Sequence, residues 1–99
     1  MIVGFGLFSF EEDSVQQAMV LMQERLELEK KQNGILEGYV ARGLDNPSSI
    51  FIYTKWDSWE SRQNMFEALT TSPESRKISS EIMQLTNEKP VFGTFEVVE

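Results

Sequence analysis

The chain is predicted to be an α+β protein, one four-stranded antiparallel sheet with helices packed against one of its faces. Three observations carry that expectation. Along the 99 residues the apolar positions switch between strand-like and helix-like periods in the order β-α-β-β-α-α-β. Turn and cap signals separate the segments. A content of 40% hydrophobic and 11% aromatic residues without a single cysteine fits a packed domain, not a disordered or disulfide-held chain. At this length the expected organisation is a single domain over residues 1–99.

Ile2 to Phe10 is a run of aromatic and β-branched residues and reads as the first strand, although Gly4 and Gly6 weaken it. The period then changes. Val15, Met19, Met22 and Leu26 fall on one helical face, Asp13 or Ser14 is placed to cap the start, and Asn33-Gly34 supplies a left-handed stop. Ile35 to Leu44 and Ile50 to Trp56 are strand-like and flank the turn DNPSS, which predicts an antiparallel hairpin. Asp57-Ser58-Trp59-Glu60 has the form of a capping box and opens a second helix to about Leu69. Ser72-Pro73-Glu74 starts a third, with a cap, a proline at the first helical position and an acid behind it, and Ile78, Ile82 and Leu85 form its apolar stripe. Pro90 precedes the last strand, Val91 to Val98.

Two βαβ halves around a central hairpin give a ferredoxin-like split βαβ fold. Its strands are apolar on both sides. Val3, Phe5 and Leu7 oppose Ile2, Phe8 and Phe10; Phe51 and Tyr53 oppose Ile50, Ile52 and Trp56; Val91, Phe95 and Val97 oppose Phe92 and Val98. Helices on one face leave the other uncovered, and a soluble monomer seldom exposes so large an apolar area. The expected partner is a second copy of the chain, packed sheet on sheet about a two-fold axis.

Composition also narrows function. A net charge of −7 argues against nucleic acid and against an anionic membrane surface. Absent cysteine removes thiolate metal sites and cysteine nucleophiles, and absent histidine removes the commonest general base and the commonest metal and haem ligand. No cofactor and no metal are expected. The acidic run Glu11-Glu12-Asp13 reads as a solvated helix start that suits the dipole. The opening MIVGFGLFSF lacks a basic n-region and a cleavage site and is too short to span a bilayer, so a cytoplasmic location is expected.

Element order, IYTKWDSWES at 52–61, SPESRK at 72–77 and the hairpin GILEGYVARGLDNPSSIFIY at 34–53 together resemble the antibiotic biosynthesis monooxygenase (ABM) domain, over nearly the whole chain. The resemblance implies a dimeric α+β barrel. It also implies a monooxygenase that needs no cofactor and oxygenates a small aromatic or quinol-like substrate in a pocket between helices and sheet. A non-catalytic ligand-binding or stress-related dimer of the same fold is the alternative. Haem degradation ranks below both, because Ser79 stands near the place of that branch's iron-binding histidine and the first strand has no asparagine. Many members carry a histidine nine residues after the tryptophan that matches Trp56; this chain has Met65.

The candidate site residues follow. Trp59 either lines a pocket mouth or packs at the helix–strand corner, and Asn64 either bonds a substrate oxygen or faces solvent. As catalytic candidates these two stand first. Arg62 and Arg76 either neutralise an enolate or, as exposed arginines, serve only solubility. Tyr39 and Tyr53 lie at inward or dimer-facing strand positions, where a phenol donates to substrate or simply buries its ring. Met65 is either core filler or a soft pocket wall. Gly4 and Gly6 share one face of the first strand, as a cavity floor or as room for a helix side chain.

Overall fold

The computed structural model describes all 99 residues. Its elements are β1 (Ile2–Ser9), α1 (Val15–Lys30), β2 (Ile35–Arg42), β3 (Ser49–Trp56), α2 (Trp59–Thr71), α3 (Pro73–Leu85) and β4 (Val91–Glu96). The sheet runs β2-β3-β1-β4 with every neighbouring pair antiparallel. Each crossover therefore skips one strand, which is the expected ferredoxin-like split βαβ arrangement. No helix is long and apolar enough to cross a membrane.

Local signals explain most boundaries. Gly34 takes the left-handed conformation (φ 90°) after α1, and a Cβ there would collide with the Ser61 and Asp57 side chains. Its carbonyl accepts the Asp57 N–H at 2.8 Å, tying the start of β2 to the entrance of α2. In the hairpin loop the Asn46 side chain accepts the Ser48 N–H at 3.1 Å, and Arg42 Nε donates to the Pro47 carbonyl at 2.9 Å. Ser72 caps α3 by accepting the Ser75 N–H, with Pro73 at the first helical position.

Two starts differ from expectation. The cap of α2 is Ser58, one residue later than the Asp57 capping box: its side chain accepts the Ser61 N–H at 3.1 Å. The Asp57 N–H is bonded to the Gly34 carbonyl. At α1 neither Asp13 nor Ser14 supplies a side-chain cap. A 3₁₀ turn, Glu12–Ser14, leads into the helix instead, with the Ser14 N–H donating to the Glu11 carbonyl at 2.9 Å.

The sheet faces divide as the alternation predicts. Ile2, Gly4, Gly6 and Phe8 face the helices with Ile50, Ile52, Thr54 and Trp56, while Val3, Phe5, Leu7, Phe51 and Tyr53 lie on the open side. The helix-side core is split. Phe8, Phe10, Val15, Ala18, Met22, Ile50, Ile78 and Ile82 belong to one cluster; Ile2, Trp56, Met65 and Leu69 form the other. Half-buried Leu28 packs against both. Between the clusters β1 presents only Gly4 and Gly6.

The two tryptophans play opposite parts. Trp56 is 0% exposed and donates Nε1–H to Thr54 Oγ1 at 3.0 Å, whereas Trp59 is 52% exposed. Trp56→Ala is expected to lower unfolding free energy by about 3–5 kcal/mol. Trp59→Ala is expected to change it by no more than about 0.5 kcal/mol, as at other surface positions. Urea denaturation of the two variants checks the contrast; similar losses would contradict it.

Candidate functional site

A cavity of about 760 Å³ occupies the gap between the two core clusters. Gly4 and Gly6 of β1 form its floor, with Ile52 and Thr54 of β3 beside them. Met22, Arg25 and Glu29 project into it from one face of α1, three and four residues apart. From α2 come Arg62, Met65, Phe66 and Leu69. From α3 come Arg76, Ser79, Ile82 and Met83, and Phe92 stands at the open edge on β4. Apolar and aromatic side chains thus make most of the wall, with a few charged groups set among them, as in pockets for small organic ligands.

Arg25 organises the polar part. Its Nε donates to Glu29 Oε2 at 3.4 Å, and its Nη1 donates to Ser75 Oγ at 2.7 Å and to Ser79 Oγ at 3.0 Å. Glu29 is 8% exposed. Burial pushes its carboxyl above the ordinary 4.5, although the charge and hydrogen bond of Arg25 and the charge of Arg62 pull the other way. Arg62 is placed differently. Its guanidinium lies over Gly4, close enough that a Cβ on that residue would stand 3.1 Å from Nε, and it sits 5.9 Å from the centre of the Phe66 ring. Its Nε is buried and has no hydrogen-bond partner.

Of the residues named from sequence, Arg62 and Met65 line this cavity, and so does Arg76. Met65 is also a buried member of the second core cluster. Trp59 and Asn64 are exposed residues of α2 and do not line the cavity. Tyr39 and Tyr53 are on the other side of the sheet, paired across β2 and β3 with ring centroids 4.8 Å apart. Partial burial, then the neighbouring Glu37 and Tyr39, raise the Tyr53 phenol, which stays neutral and able to donate at physiological pH. Ser79, which resemblance sets near the iron-binding histidine of haem-degrading members, serves instead as an acceptor for Arg25.

Arg25 and Glu29 were not anticipated, although a signal for Glu29 existed. Glu29 continues the stripe Val15, Met22, Leu26 by one further step of three, and a carboxylate on an apolar stripe is anomalous. Arg25 adjoins that stripe, and its partners on α3 come into view only in the fold.

The raised Glu29 carboxyl has a consequence for stability. The folded state holds this proton more tightly than the unfolded chain does. The resulting stabilisation is complete below 4.5 and is lost as pH rises through the raised value. Glu29→Gln cannot ionise, so its Tm is expected to rise relative to the wild type as pH increases above 4.5. A Tm difference that does not change with pH would contradict this.

No protein-family model and no curated protein matches the sequence. Solved structures do. A Deinococcus radiodurans protein assigned as an antibiotic biosynthesis monooxygenase superposes with a TM-score of 0.85 at 16% identity, over 100% of this chain and 94% of that one. SnoaB, a cofactor-independent oxygenase from Streptomyces nogalater, gives 0.81 at 11% identity over 99% and 93%. A conserved protein from Methanosarcina mazei Go1 gives 0.82 at 17% identity over 95% and 89%. The fold of this chain is that of the antibiotic biosynthesis monooxygenase structures, the family its sequence resembles.

Proposed function

We propose that the chain is a cofactor-independent monooxygenase that takes a small aromatic or quinol-like substrate into the cavity between helices and sheet. The supporting observation is the make-up of that cavity: a largely apolar enclosure whose one carboxylate, Glu29, lies among the guanidiniums of Arg25, Arg62 and Arg76. An electron-rich phenol or anthrone needs little more. Glu29 takes the proton from the substrate, leaving a singly charged enolate that one of Arg62 and Arg76 neutralises. The carbanion passes an electron to dioxygen, recombination forms a carbon–peroxide bond, and the peroxide anion takes the proton back from Glu29 to give CH–OOH. Loss of water from the CH–OOH carbon leaves a carbonyl, with one oxygen atom in the product and one in water. Phe66, Phe92, Met65 and Met83 supply the apolar surface against which the rings pack.

Of the residues named from sequence, this reading employs Arg62, Arg76 and Met65. Trp59 and Asn64 have no part in it, and Tyr39 and Tyr53 belong to the assembly described below. A ligand-binding protein without chemistry is the second reading, favoured by one observation: Glu29 and Arg25 are already bonded to each other. Oxygen consumption decides between them. With an anthrone-type substrate and no added metal, uptake is expected well above the protein-free rate, falling about a hundredfold or more in Glu29→Gln. If no phenol or quinol in a broad panel raises uptake, the oxygenase reading fails and ligand binding remains.

The open sheet face is proposed to be the seam of a homodimer. Leu7, Tyr39, Val91 and Phe95 are exposed there, and Phe5 stacks on Phe51 and Phe95 at 5.6 and 5.8 Å. A second copy offers the same aromatic surface and covers it by sheet-on-sheet packing. Light scattering at micromolar concentration is expected to give the mass of a dimer, and Leu7→Glu to shift it toward monomer. A monomeric wild type would rule the seam out.

A further inference from the structure

We infer that the ligand of this cavity is an aromatic acid, a ring system bearing a carboxylate that Arg62 holds. The inference rests on reading the cavity as the ligand site, and it stands whether or not the ligand is oxygenated there.

The first ground is charge. Three guanidiniums face one carboxylate on the cavity wall, in a chain whose net charge is −7. The positive wall is therefore a local feature and not a reflection of the whole surface. Glu29 matches Arg25, to which it is bonded. The chain's salt bridges are that pair and Lys30–Glu27, so neither Arg62 nor Arg76 has an ionic partner; Arg76 is exposed to water, whereas Arg62 is half-buried. An enolate formed during turnover requires one of these two cations; the other still lacks an anion.

The second ground is the orphaned donor. A buried N–H with no acceptor destabilises a fold, and native structures rarely keep one without a reason. Arg62 Nε is such a group. It is also fixed in place: Gly4 beneath it leaves room for a guanidinium flat on the strand, and Phe66 lies alongside. A carboxylate accepts in the plane of a guanidinium, where two parallel bonds can form. The apolar remainder of the wall, from Phe8 to Phe92, suits the rings to which that carboxylate is attached.

Calorimetry with an inert, matched pair tests this apart from any oxygenase chemistry. The probes are an anthraquinone monocarboxylate and its carboxamide, which share shape and differ in charge. At neutral pH and low salt the carboxylate is expected to bind roughly tenfold or more tightly. The preference should shrink as salt is added, largely vanish in Arg62→Met and persist in Arg62→Lys. Equal affinities, a tighter amide or no binding of the carboxylate would overturn the inference. So would a preference that Arg62→Met leaves intact. Should Arg62→Met fail to fold, the wild-type ratio still decides on ligand charge, and Arg62→Gln takes its place: a preference that Arg62→Gln leaves intact would remove Arg62 from the assignment.

Discussion

A central strand that turns two glycines toward its helices cannot carry a continuous core. In β1, Gly4 and Gly6 lie between Ile2 and Phe8 on the helix-facing side, and their neighbours across the sheet are Thr54 and Ile52. The helices have nothing to pack against at that point. The core therefore closes at the two ends of the sheet, around Trp56 at one and around Phe10 and Ile50 at the other. The space between remains open. A Cβ on Gly6 would come within 2.8 Å of the Phe8 ring, and one on Gly4 would press on Arg62. Both positions thus set the shape of the cavity floor and also the places its walls can take.

The electrostatics follow from that opening. Arg25 and Glu29 point into a partly dry space, where removing two charges from water costs more than their mutual attraction readily returns. The fold offsets this with hydroxyls, for Ser75 and Ser79 satisfy the guanidinium edge that Glu29 leaves free and tie α1 to α3. Apolar side chains of the same volume would hold the two helices together at lower cost. A charged group retained under those conditions, with a raised carboxyl and an unpaired guanidinium close by, is the pattern of a site kept for chemistry or binding.

Much of the fold could be read from the sequence because its signals are local. Alternation within each strand settled which side chains share a face, and Ser72-Pro73 and Gly34 fixed their boundaries by chemistry contained within a few residues. The α2 start lies one residue later than the capping-box pattern predicts, with Ser58 as its cap, and Asp57 is tied to Gly34, distant in sequence. The site was less legible. Arg62 and Asn64 were both named, yet residues two apart on a helix point in different directions, and only the face of Arg62, Met65 and Leu69 turns inward. The partnership of Arg25 with Ser75 and Ser79 spans some fifty residues and depends on how α1 meets α3. No local pattern encodes that.

The two faces of the sheet also separate what a substitution can disturb. In β1 and β3, even-numbered positions turn toward the helices, where Gly4, Gly6, Ile52 and Thr54 set the cavity, while odd-numbered Phe5, Leu7, Phe51 and Tyr53 carry the open face. A side chain changed on one face reaches the other only by bending the strand between them, and β1 is clamped on both edges, by β3 and by β4. Substitutions at the even positions can therefore reshape the cavity without altering the open face of the sheet. That independence is a physical route by which one fold, shared at identities of 11–17% with the structures above, can hold its framework while its cavity changes.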